Sequence, residues 1–403
     1  MIRIAHIITD TDTGGAELML SKLVRQMDRE RFQNDILSLL PVDNVGHSLR
    51  ADGFSVESAG MRPGLPTPAA FWRIAGWLRA RRPAVVQTWM YHSDLLGGAA
   101  GRYLARMPVI WNIRQSNLDP GVNSSSTMHA AGICRRLSRR IPLAIVCGSE
   151  AARRTHTEFG YNPERMEVIP NGFNTSTFRP DPDAGERLRT ELNIPGEGLI
   201  VGLAARLDPQ KDHATFIRAA RILAERWERG RGNRDDSGHG SHDRAPVYFV
   251  LCGENVEWSN EKIRTWIGEG PEGPFGSRLR LLGRRHDLPA LYPAFDVSGT
   301  SSLGEGFPNV VGEAMACGVP CVVTNAGDSA AIVGDTGIVV PPADPEALAE
   351  AWGKILLMDK KGRRDMGQRA RDRVEALYGM QAVAERYQDL YSRVYQNFYG
   401  ADR

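Results

Sequence analysis

Residues 301–320 have the sequence SSLGEGFPNVVGEAMACGVP, which predicts a loop, a short helix and the start of a strand. Glu305 stands between two glycines in the predicted loop. Pro308 suits the first turn of a helix, where its missing N–H removes no hydrogen bond, and Gly318 suits the position just beyond the helix end. Glu313 therefore falls more than one turn inside the helix. This pattern is typical of an α/β domain whose helix begins beside a functional loop.

The same stretch carries groups that bind sugars and phosphates. Backbone N–H groups at the start of a helix have no partner within the helix and suit an anion. The predicted helix start comprises Gly306, Phe307, Pro308, Asn309 and Val310. Carboxylates such as those of Glu305 and Glu313 accept hydrogen bonds from sugar hydroxyls, so the stretch is suited to a polyol phosphate. The alternative, a turn residue and a surface charge, is hard to reconcile with their apolar neighbours.

Residues 203–213, LAARLDPQKDH, join another buried strand to another helix. Arg206 stands at the end of the strand and Lys211 near the start of the helix, so both side chains can meet one anion. Two cations could stabilise a departing diphosphate without a metal ion. The alternative, two solvated side chains in an ordinary loop, stays open on spacing alone.

Short β-rich runs alternate with helical patterns along the chain. The predicted strands are 3–8, 35–40, 55–57, 85–88, 109–113, 143–147, 167–169, 199–205, 247–251, 279–282, 295–298, 319–323 and 337–340. Their continuous apolar character indicates burial on both faces, as in a parallel sheet covered by helices. The alternation predicts an α/β protein built from two Rossmann-like, doubly wound domains.

The predicted domain boundaries follow from a stretch rich in Pro, Asp and Gly at 180–198. We expect an N-terminal domain at 1–185 and a C-terminal domain at 196–380. An amphipathic helix at 381–403 is expected to pack back across the domain junction. Ligands of such folds bind where the strands' carboxyl ends face a cleft. The segment 229–245, RGRGNRDDSGHGSHDRA, is predicted to be a surface insertion.

The loop after the first strand, residues 9–17, has the sequence TDTDTGGAE. Gly14 and Gly15 permit a close backbone approach, and the helix that follows offers its N-terminus to an anion. A glycine pair also occurs at such turns for packing alone. The loop does not match G-x-G-x-x-G, which argues against a dinucleotide-dependent oxidoreductase.

Composition narrows the class of protein. Hydrophobic residues make up 42% and charged residues 24% of the chain, which is ordinary for a globular protein. No apolar run approaches the roughly 18–20 residues of a membrane span, and the N-terminal MIRIAHII predicts a strand and no export signal. The five cysteines form no CxxC pair, which favours reduced thiols. We therefore expect a cytoplasmic protein, with peripheral attachment to the inner face of the membrane as an option.

Charge is distributed unevenly although the net charge is only +2. Residues 71–140 contain eleven arginines and two acids, which leaves +9 in this window. Such a region could attract phosphates, an anionic membrane or nucleic acid. We expect four arginines in particular to bind an anionic membrane: Arg135, Arg136, Arg139 and Arg140. The alternative is a set of solvated helix faces.

Six motifs in this order resemble the retaining glycosyltransferases of family 4, which have the GT-B fold. The motifs are GGAE at 14–17, WMYHSD at 89–94, PNG at 170–172, the pair Arg206 and Lys211, LGR at 282–284, and Glu305-x7-Glu313. Each motif alone is only suggestive, but the ordered set is specific and covers nearly the whole chain.

The resemblance implies roles for the charged residues. It implies that Arg206 and Lys211 bind the donor diphosphate and stabilise the leaving group. Glu313 would hold the ribose hydroxyls, and Glu305 would hold the hydroxyls of the donor hexose without acting as a covalent nucleophile.

The remaining site residues are implied in the same way. Residues 306–310 would contact sugar and phosphate, and Gly283 with Arg284 would border the nucleotide base. Gly14 and Gly15 would close the phosphate and acceptor side. His92 matches the position where the family often has a histidine near the reacting sugar, although a single histidine is often a packing residue.

The implied activity is transfer of a hexosyl-type unit from a nucleotide-diphosphate sugar to a glycan or lipid-linked acceptor. The family retains the anomeric configuration and generally needs no metal, so no metal or other cofactor is expected. The setting would be assembly of a cell-surface polysaccharide or glycoconjugate. The alternatives are a GT-B nucleotide-sugar epimerase and a membrane- or polyanion-binding protein. Nucleic acid is not expected to be a partner, because no recognition motif combining aromatic and basic residues is present.

Overall fold

The structure, a computed structural model, describes residues 1–62, 68–121, 123–232 and 245–400. The chain divides into two compact units. Unit 1 comprises Met1–Gly172 and the segment from Met380 onwards, and unit 2 comprises Phe173–Gly379. Most of the segment 229–245, including His239 and His242, lies outside the described residues.

Unit 1 contains one parallel sheet in the order β3-β2-β1-β4-β5-β6-β7. Its strands are β1 Ile2–Ile8, β2 Phe32–Ser38, β3 Ser55–Ser58, β4 Val85–Trp89, β5 Val109–Ile113, β6 Ala144–Cys147 and β7 Met166–Val168. The helices of its first segment are α1 Gly15–Gln26, α2 Asn44–Ala51, α3 Pro68–Arg81, α4 Tyr91–Ala99, α5 Ser125–Leu137 and α6 Glu150–Phe159. A π-helical turn, Ala100–Leu104, extends α4.

Burial on both faces explains the apolar character of these strands. Alternate side chains of a strand point to opposite faces, so Ile4 and Ile8 join one hydrophobic core while Ala5 and Ile7 join the other. The strands β4 and β5 are buried at every residue. The prediction of a parallel sheet covered by helices is therefore confirmed for unit 1.

Unit 2 contains a second parallel sheet in the order β10-β9-β8-β11-β12-β13. Its strands are β8 Leu199–Ala204, β9 Val247–Cys252, β10 Leu279–Leu281, β11 Val297–Gly299, β12 Cys321–Thr324 and β13 Ile338–Val340. Its described helices are α7 Pro182–Glu191, α8 His213–Gly232, α9 Glu261–Ile267, α10 Leu288–Leu291, α11 Asn309–Ala316, α12 Ser329–Val333, α13 Pro345–Leu356 and α14 Lys360–Tyr378. Helices again cover both faces, since Val201 and Ile200 belong to different cores. The predicted α/β fold class is confirmed.

The last helix, α15 Met380–Tyr399, returns the chain to unit 1. Its buried side chains Tyr387, Leu390 and Tyr391 complete the core that contains Ile4. The first boundary differs from the predicted one, because residues 173–198 belong to unit 2 and not to a linker. Leu188 of α7 is buried in the unit 2 core, which accounts for that difference.

Strand order reverses once in each sheet. In unit 1 the reversal lies between β1 and β4, and in unit 2 it lies between β8 and β11. The loops that leave the carboxyl ends of two such strands diverge to opposite sides of the sheet, which opens a crevice suited to ligands. We use "carboxyl edge" for the edge of a sheet where its strands end and "amino edge" for the opposite one.

Candidate functional site

The crevice of unit 2 is formed by the loops that follow β8 and β11. Lys211 ends a short 3₁₀ turn after β8, and Glu305 lies in the loop after β11. The Lys211 Nζ lies 2.5 Å from the Glu305 Oε1, and the two side chains are only 22% and 10% exposed. The two loops at the switch point, where the strand order reverses, therefore each contribute one residue to a partly buried ion pair.

Hydrogen bonds fix both partners of this pair. The Ser302 hydroxyl donates to the Glu305 Oε1 at 2.7 Å, and the Ser301 hydroxyl donates to the backbone carbonyl of Lys211 at 2.8 Å. The Leu303 N–H donates to the carbonyl of Gln210 at 2.8 Å. The two loops are thus joined through side chains and backbone, which restricts their movement relative to one another.

Gly327 supports the Glu305 loop from the turn after β12. Its φ is +55°, and a Cβ placed there would lie 2.3 Å from the carbonyl oxygen of Glu305. The Asp328 N–H donates to the carbonyl of Gly306 at 3.0 Å. Only glycine combines this backbone conformation with such a close approach. No local sequence pattern predicts Gly327 as a site residue, because nothing around it indicates proximity to Glu305.

Arg206 lies on the same edge but is far more exposed. Its side chain is 67% exposed, and its Nη2 lies 2.9 Å from the Asp208 Oδ2. The other Asp208 oxygen accepts the N–H of Gln210 at 2.9 Å. Although partial burial favours the neutral carboxyl, the Gln210 amide and the Arg206 guanidinium together lower the pKa of Asp208. The Arg206 guanidinium is thus paired with Asp208 and remains largely accessible to solvent.

Glu313 lies on α11, whose N-terminus follows the Glu305 loop. Pro308 is the N-cap and not the first helical residue, and Gly318 has a φ of +73° just beyond the end of the helix. The Tyr292 hydroxyl lies 3.3 Å from the Glu313 Oε2. Burial, and then the charge of Glu313, raise the pKa of Tyr292 well above its usual value. Tyr292 therefore serves as a neutral donor that positions this carboxylate, a role that no local sequence pattern predicts.

Phe307 anchors the start of α11 through aromatic packing. Its ring stacks on Phe173, with centroids 5.9 Å apart, and it also contacts Tyr378. A Cβ on Gly312 would lie 2.2 Å from the Phe173 ring, so α11 approaches this cluster closely. Asn309 and Val310 form the first turn of α11. The backbone N–H groups of that turn point along the helix axis toward the Glu305 loop.

Gly283 and Arg284 follow β10 on the same edge. Gly283 has a φ of +63°, and its carbonyl accepts the N–H of Gly253 at 2.8 Å. Arg284 is exposed, whereas its neighbour Arg285 pairs with Glu191 and Asp287. The structure therefore gives Gly283 a structural role and leaves Arg284 on the surface.

Gly253 is a further glycine that supports the site and was not among the predicted residues. It follows β9 with a φ of +154°, and a Cβ there would lie 1.9 Å from the carbonyl oxygen of Ala205. The close approach brings the end of β9 against the residue before Arg206. Its place directly after the buried β9 run was the signal that could have identified it.

The crevice of unit 1 contains the candidate residues of the first domain. Gly14 is the N-cap of α1, with an extended backbone, and Gly15 is the first helical residue. A Cβ on Gly15 would meet nothing within 4 Å. The Thr9 hydroxyl lies 3.2 Å from that of Ser93 on α4. This contact joins the loop after β1 to the helix after β4.

His92 is the second residue of α4 and is partly buried, which lowers its pKa. Met90, just before α4, has φ +69° and ψ 163°, a region that residues other than glycine rarely adopt. Its carbonyl accepts the N–H of Asp94 at 2.9 Å. The buried Asp94 also accepts the Thr88 hydroxyl, and burial raises its pKa well above the usual value. Backbone strain held by buried contacts is a feature of functional sites, and here it fixes the turn that presents His92.

The described residues contain no group of three or more His, Cys, Asp or Glu side chains arranged to hold a metal ion. None of the helices they form is both long enough and apolar enough to cross a bilayer.

Profiles of two protein families match the chain. The family described as Glycosyltransferase Family 4 matches residues 13–177, and the family described as Glycosyl transferases group 1 matches residues 198–357. The two matches fall one in the N-terminal half and one in the C-terminal half of the chain. Together they cover most of the described sequence.

Curated relatives and solved structures agree with these profiles. The chain is 27% identical over 333 residues to the Bacillus subtilis (strain 168) protein named "Putative glycosyltransferase EpsF", covering 80% of this chain and 79% of that protein. It is 25% identical over 237 residues to the Escherichia coli UDP-Gal:alpha-D-GlcNAc-diphosphoundecaprenol alpha-1,3-galactosyltransferase, covering 58% and 56% of the two chains. The crystal structure of Anabaena Alr3699/HepE in complex with UDP-glucose has the same fold, with a TM-score of 0.74, 20% identity, and coverage of 98% and 100%.

Proposed function

The chain belongs to glycosyltransferase family 4, and we propose that it transfers a hexosyl unit from a nucleotide-diphosphate sugar to a glycan or lipid-linked acceptor with retention of configuration. The observation that carries this proposal is the ion pair between Lys211 and Glu305 at the switch point of unit 2. It puts a cation suited to phosphate beside a carboxylate suited to sugar hydroxyls.

In this proposal Lys211 and Arg206 bind the donor diphosphate. Lys211 exchanges part of its contact with Glu305 for a phosphate oxygen, and Arg206 turns from Asp208 toward the other phosphate. Arg206 is accessible enough for this movement, since its side chain is 67% exposed. The two cations balance the negative charge that grows on the diphosphate as it departs.

The two glutamates bind hydroxyl groups of the donor at different places. Glu305, held by the Ser302 hydroxyl, accepts from the hexose. Glu313, oriented by Tyr292, accepts from the ribose. Residues 306–310 add backbone contacts at the start of α11, and Gly283 with Arg284 borders the nucleotide base.

Unit 1 supplies the groups for the acceptor side. Gly14 and Gly15 allow a phosphate or acceptor oxygen to approach the N-terminus of α1. His92, whose lowered pKa keeps it neutral near pH 7, is a hydrogen-bond partner for the reacting sugar. The strained turn at Met90 fixes its position.

The proposed reaction breaks the bond between the anomeric carbon and the diphosphate oxygen on the same face where the acceptor hydroxyl adds. The departing diphosphate takes the proton of that hydroxyl, and Lys211 with Arg206 stabilises the charge. No divalent cation or other cofactor takes part in this proposal. Activity that persists in EDTA would support this point, and activity that requires added Mg²⁺ or Mn²⁺ would contradict it.

The relatives suggest a setting for the reaction. The name of the E. coli enzyme specifies a UDP-sugar donor and a diphosphoundecaprenol-linked acceptor, and HepE was crystallised with UDP-glucose. We therefore propose a nucleotide-sugar donor and a role in polysaccharide or glycoconjugate assembly at the cytoplasmic face of a membrane. The family relationship favours transfer over epimerisation of the donor.

A thermal-shift panel tests the donor half of the proposal. UDP, GDP, ADP and their glucose, galactose, N-acetylglucosamine and mannose derivatives are added to the full chain. We expect one nucleotide series to raise the melting temperature, and the Lys211→Met variant to lose that rise. Arg218→Met, which removes an exposed arginine of α8, is the control and keeps the rise. No response to any compound would refute the proposal.

A further inference from the structure

Three successive connections of unit 1 end in arginines. Arg82 follows α3, Arg102 and Arg106 flank the end of the π-helical turn, and Arg136, Arg139 and Arg140 lie at the end of α5. These connections lead into β4, β5 and β6, which are neighbours in the sheet. The six arginines therefore share the amino edge of three adjacent strands, and we refer to them as the basic rim.

Structural roles account for other arginines of the region but not for the rim. Arg81 pairs with Asp35 and Glu57, and Arg79 donates to the carbonyl of Leu104 at 3.0 Å. Arg135 donates to the carbonyl of the last residue of α6. Five of the six rim arginines are exposed, and the sixth, Arg102, is half-buried. The positive charges of the rim are therefore accessible to solvent.

Two rim arginines occupy a backbone conformation that favours glycine. Arg82 has a φ of +49° and Arg106 a φ of +57°, whereas the equivalent position after α6 is Gly160. Glycine and asparagine are the usual residues at such helix ends, because a side chain is strained there. An arginine at both positions keeps a positive charge despite this strain.

The surroundings of the rim are aromatic and nearly free of acids. Tyr103 is 53% exposed between two rim arginines, and the Arg102 guanidinium lies 5.9 Å from the Phe398 ring at the end of α15. Tyr399, beside Phe398, is 38% exposed. Between residues 58 and 149 the acids are Asp94, which is buried, and Asp119, which follows β5 at the other edge.

Acids do occur where the rim ends, at β7. Glu167 pairs with Arg393 at 2.7 Å, and Glu164 lies beside it in a groove with Phe398. These groups limit the positive surface on its β7 side.

We propose that the basic rim docks unit 1 on an anionic phospholipid bilayer. Arginines beside an anionic surface are attracted electrostatically, and exposed tyrosines suit the headgroup layer, since one end of the ring is apolar and the other is polar. This inference does not depend on the proposed function. It also places the docking surface at the amino edge, roughly 17 Å of strand from the carboxyl edge that carries Gly14 and His92.

That placement separates binding to lipid from chemistry. Docking through the rim leaves the carboxyl edge of unit 1 turned away from the bilayer. Rim variants should therefore lose attachment to vesicles while donor binding by unit 2 is unchanged.

Flotation with vesicles tests the proposal. We expect the full chain to float with vesicles of equal parts phosphatidylcholine and phosphatidylglycerol, not with phosphatidylcholine alone, and to be released by high salt. In Arg82→Gly/Arg106→Gly each substitution should weaken binding about fivefold, so the pair loses on the order of 25-fold. Because glycine relieves the strain, the variant should unfold at the same temperature as the native protein or higher.

Controls separate charge from backbone effects. Asn193→Gly makes a similar change at a left-handed position in unit 2 without altering charge, and Arg264→Gln/Arg369→Gln removes two exposed charges from unit 2. Both should bind vesicles as the native protein does. If the glycine pair unfolds, Arg139→Gln/Arg140→Gln at exposed positions serves in its place with the same expected loss.

Three results would overturn the proposal. One is equal flotation with neutral and anionic vesicles, and another is undiminished binding by the rim variants. The third is preferential binding to a double-stranded DNA fragment that displaces the vesicles, which would assign the rim to nucleic acid instead.

Discussion

Removing the charges of Lys211 and Glu305 singly and together should separate their structural role from donor binding. Lys211 neutralises a carboxylate that is only 10% exposed. Lys211→Met leaves Glu305 with the Ser302 hydroxyl as its nearest donor. A fully buried charge left unpaired costs about 3–5 kcal/mol. Because this pair retains contact with water, we expect a loss of about 1–2 kcal/mol in the free energy of unfolding.

The double variant Lys211→Met/Glu305→Gln should regain most of that stability, since neither charge remains. Donor binding should behave differently. A charge-assisted hydrogen bond contributes about 1.5–3 kcal/mol, so Lys211→Met should weaken nucleoside diphosphate binding about 10- to 150-fold. The second substitution cannot restore that contact, and affinity stays low in the double variant.

Urea unfolding measures the stabilities, and titration calorimetry with UDP, GDP and ADP measures the affinities. The matched control is Lys354→Met/Glu350→Gln, which removes an exposed pair on α13 and should change neither quantity measurably. Recovery of nucleotide affinity together with stability in the Lys211→Met/Glu305→Gln chain would refute the reasoning. It would mean that Lys211 acts on the fold alone.

Three further predictions concern other parts of the structure. Tyr292→Phe removes the donor to Glu313 and should weaken nucleotide binding about fivefold, measured by calorimetry. An unchanged affinity would contradict the proposal that Glu313 binds the ribose. Gly15→Ala should leave the melting temperature unchanged, since the Cβ meets open space, yet lower kcat/KM in a transfer assay; unchanged kinetics would remove Gly15 from the site. Burial lowers the pKa of His6 and of His156 to about 4, so the unfolded chain takes up protons first as pH falls. The contribution of each histidine to the free energy of unfolding, about 3 kcal/mol, is therefore complete above pH 6.5. It is lost as the pH falls from 6.5 to 4. His156→Gln should flatten that slope in urea unfolding, and an unaltered slope would contradict the assignment.

Strand positions were predictable because buried parallel strands are continuous apolar runs. The predicted strand 35–40 begins later than the observed β2, Phe32–Ser38, because the polar residues Gln33 and Asn34 interrupt the apolar run at its start. Asn34 bonds to His6, and Asp35 lies beside Arg3 and Arg81. Such partners lie far away in sequence, so no local pattern predicts that these polar residues are buried.

The site was predictable to the extent that its residues stand in local motifs. Glu305, Glu313 and Lys211 each lie in a strand–loop–helix pattern that sequence makes visible. Tyr292 and Gly327 contribute only through tertiary contacts, with Glu313 and with the carbonyl of Glu305. Their roles depend on which strands become neighbours, and this is a property of the topology.

The strained backbone at Met90 is also a feature that depends on tertiary contacts and could not be predicted from the sequence. Methionine has no preference for a positive φ, so the sequence gives no sign of the turn that precedes His92. The contacts that hold it involve Thr88, Asp94 and the carbonyl of Asn112. A strained turn persists only where surrounding contacts hold it, so it can be recognised from the structure but not from the sequence.

Release of nucleoside diphosphate from nucleotide sugars tests the central claim most directly. The full chain is incubated with UDP-, GDP- and ADP-sugars, with and without a diphosphoundecaprenol-linked sugar acceptor, and the released diphosphate is measured by coupled assay. We predict release from one nucleotide series, stimulated by acceptor and reduced at least tenfold in Lys211→Met and in Glu305→Gln. Equal release from these variants and the native chain, or none from any donor, would contradict the account.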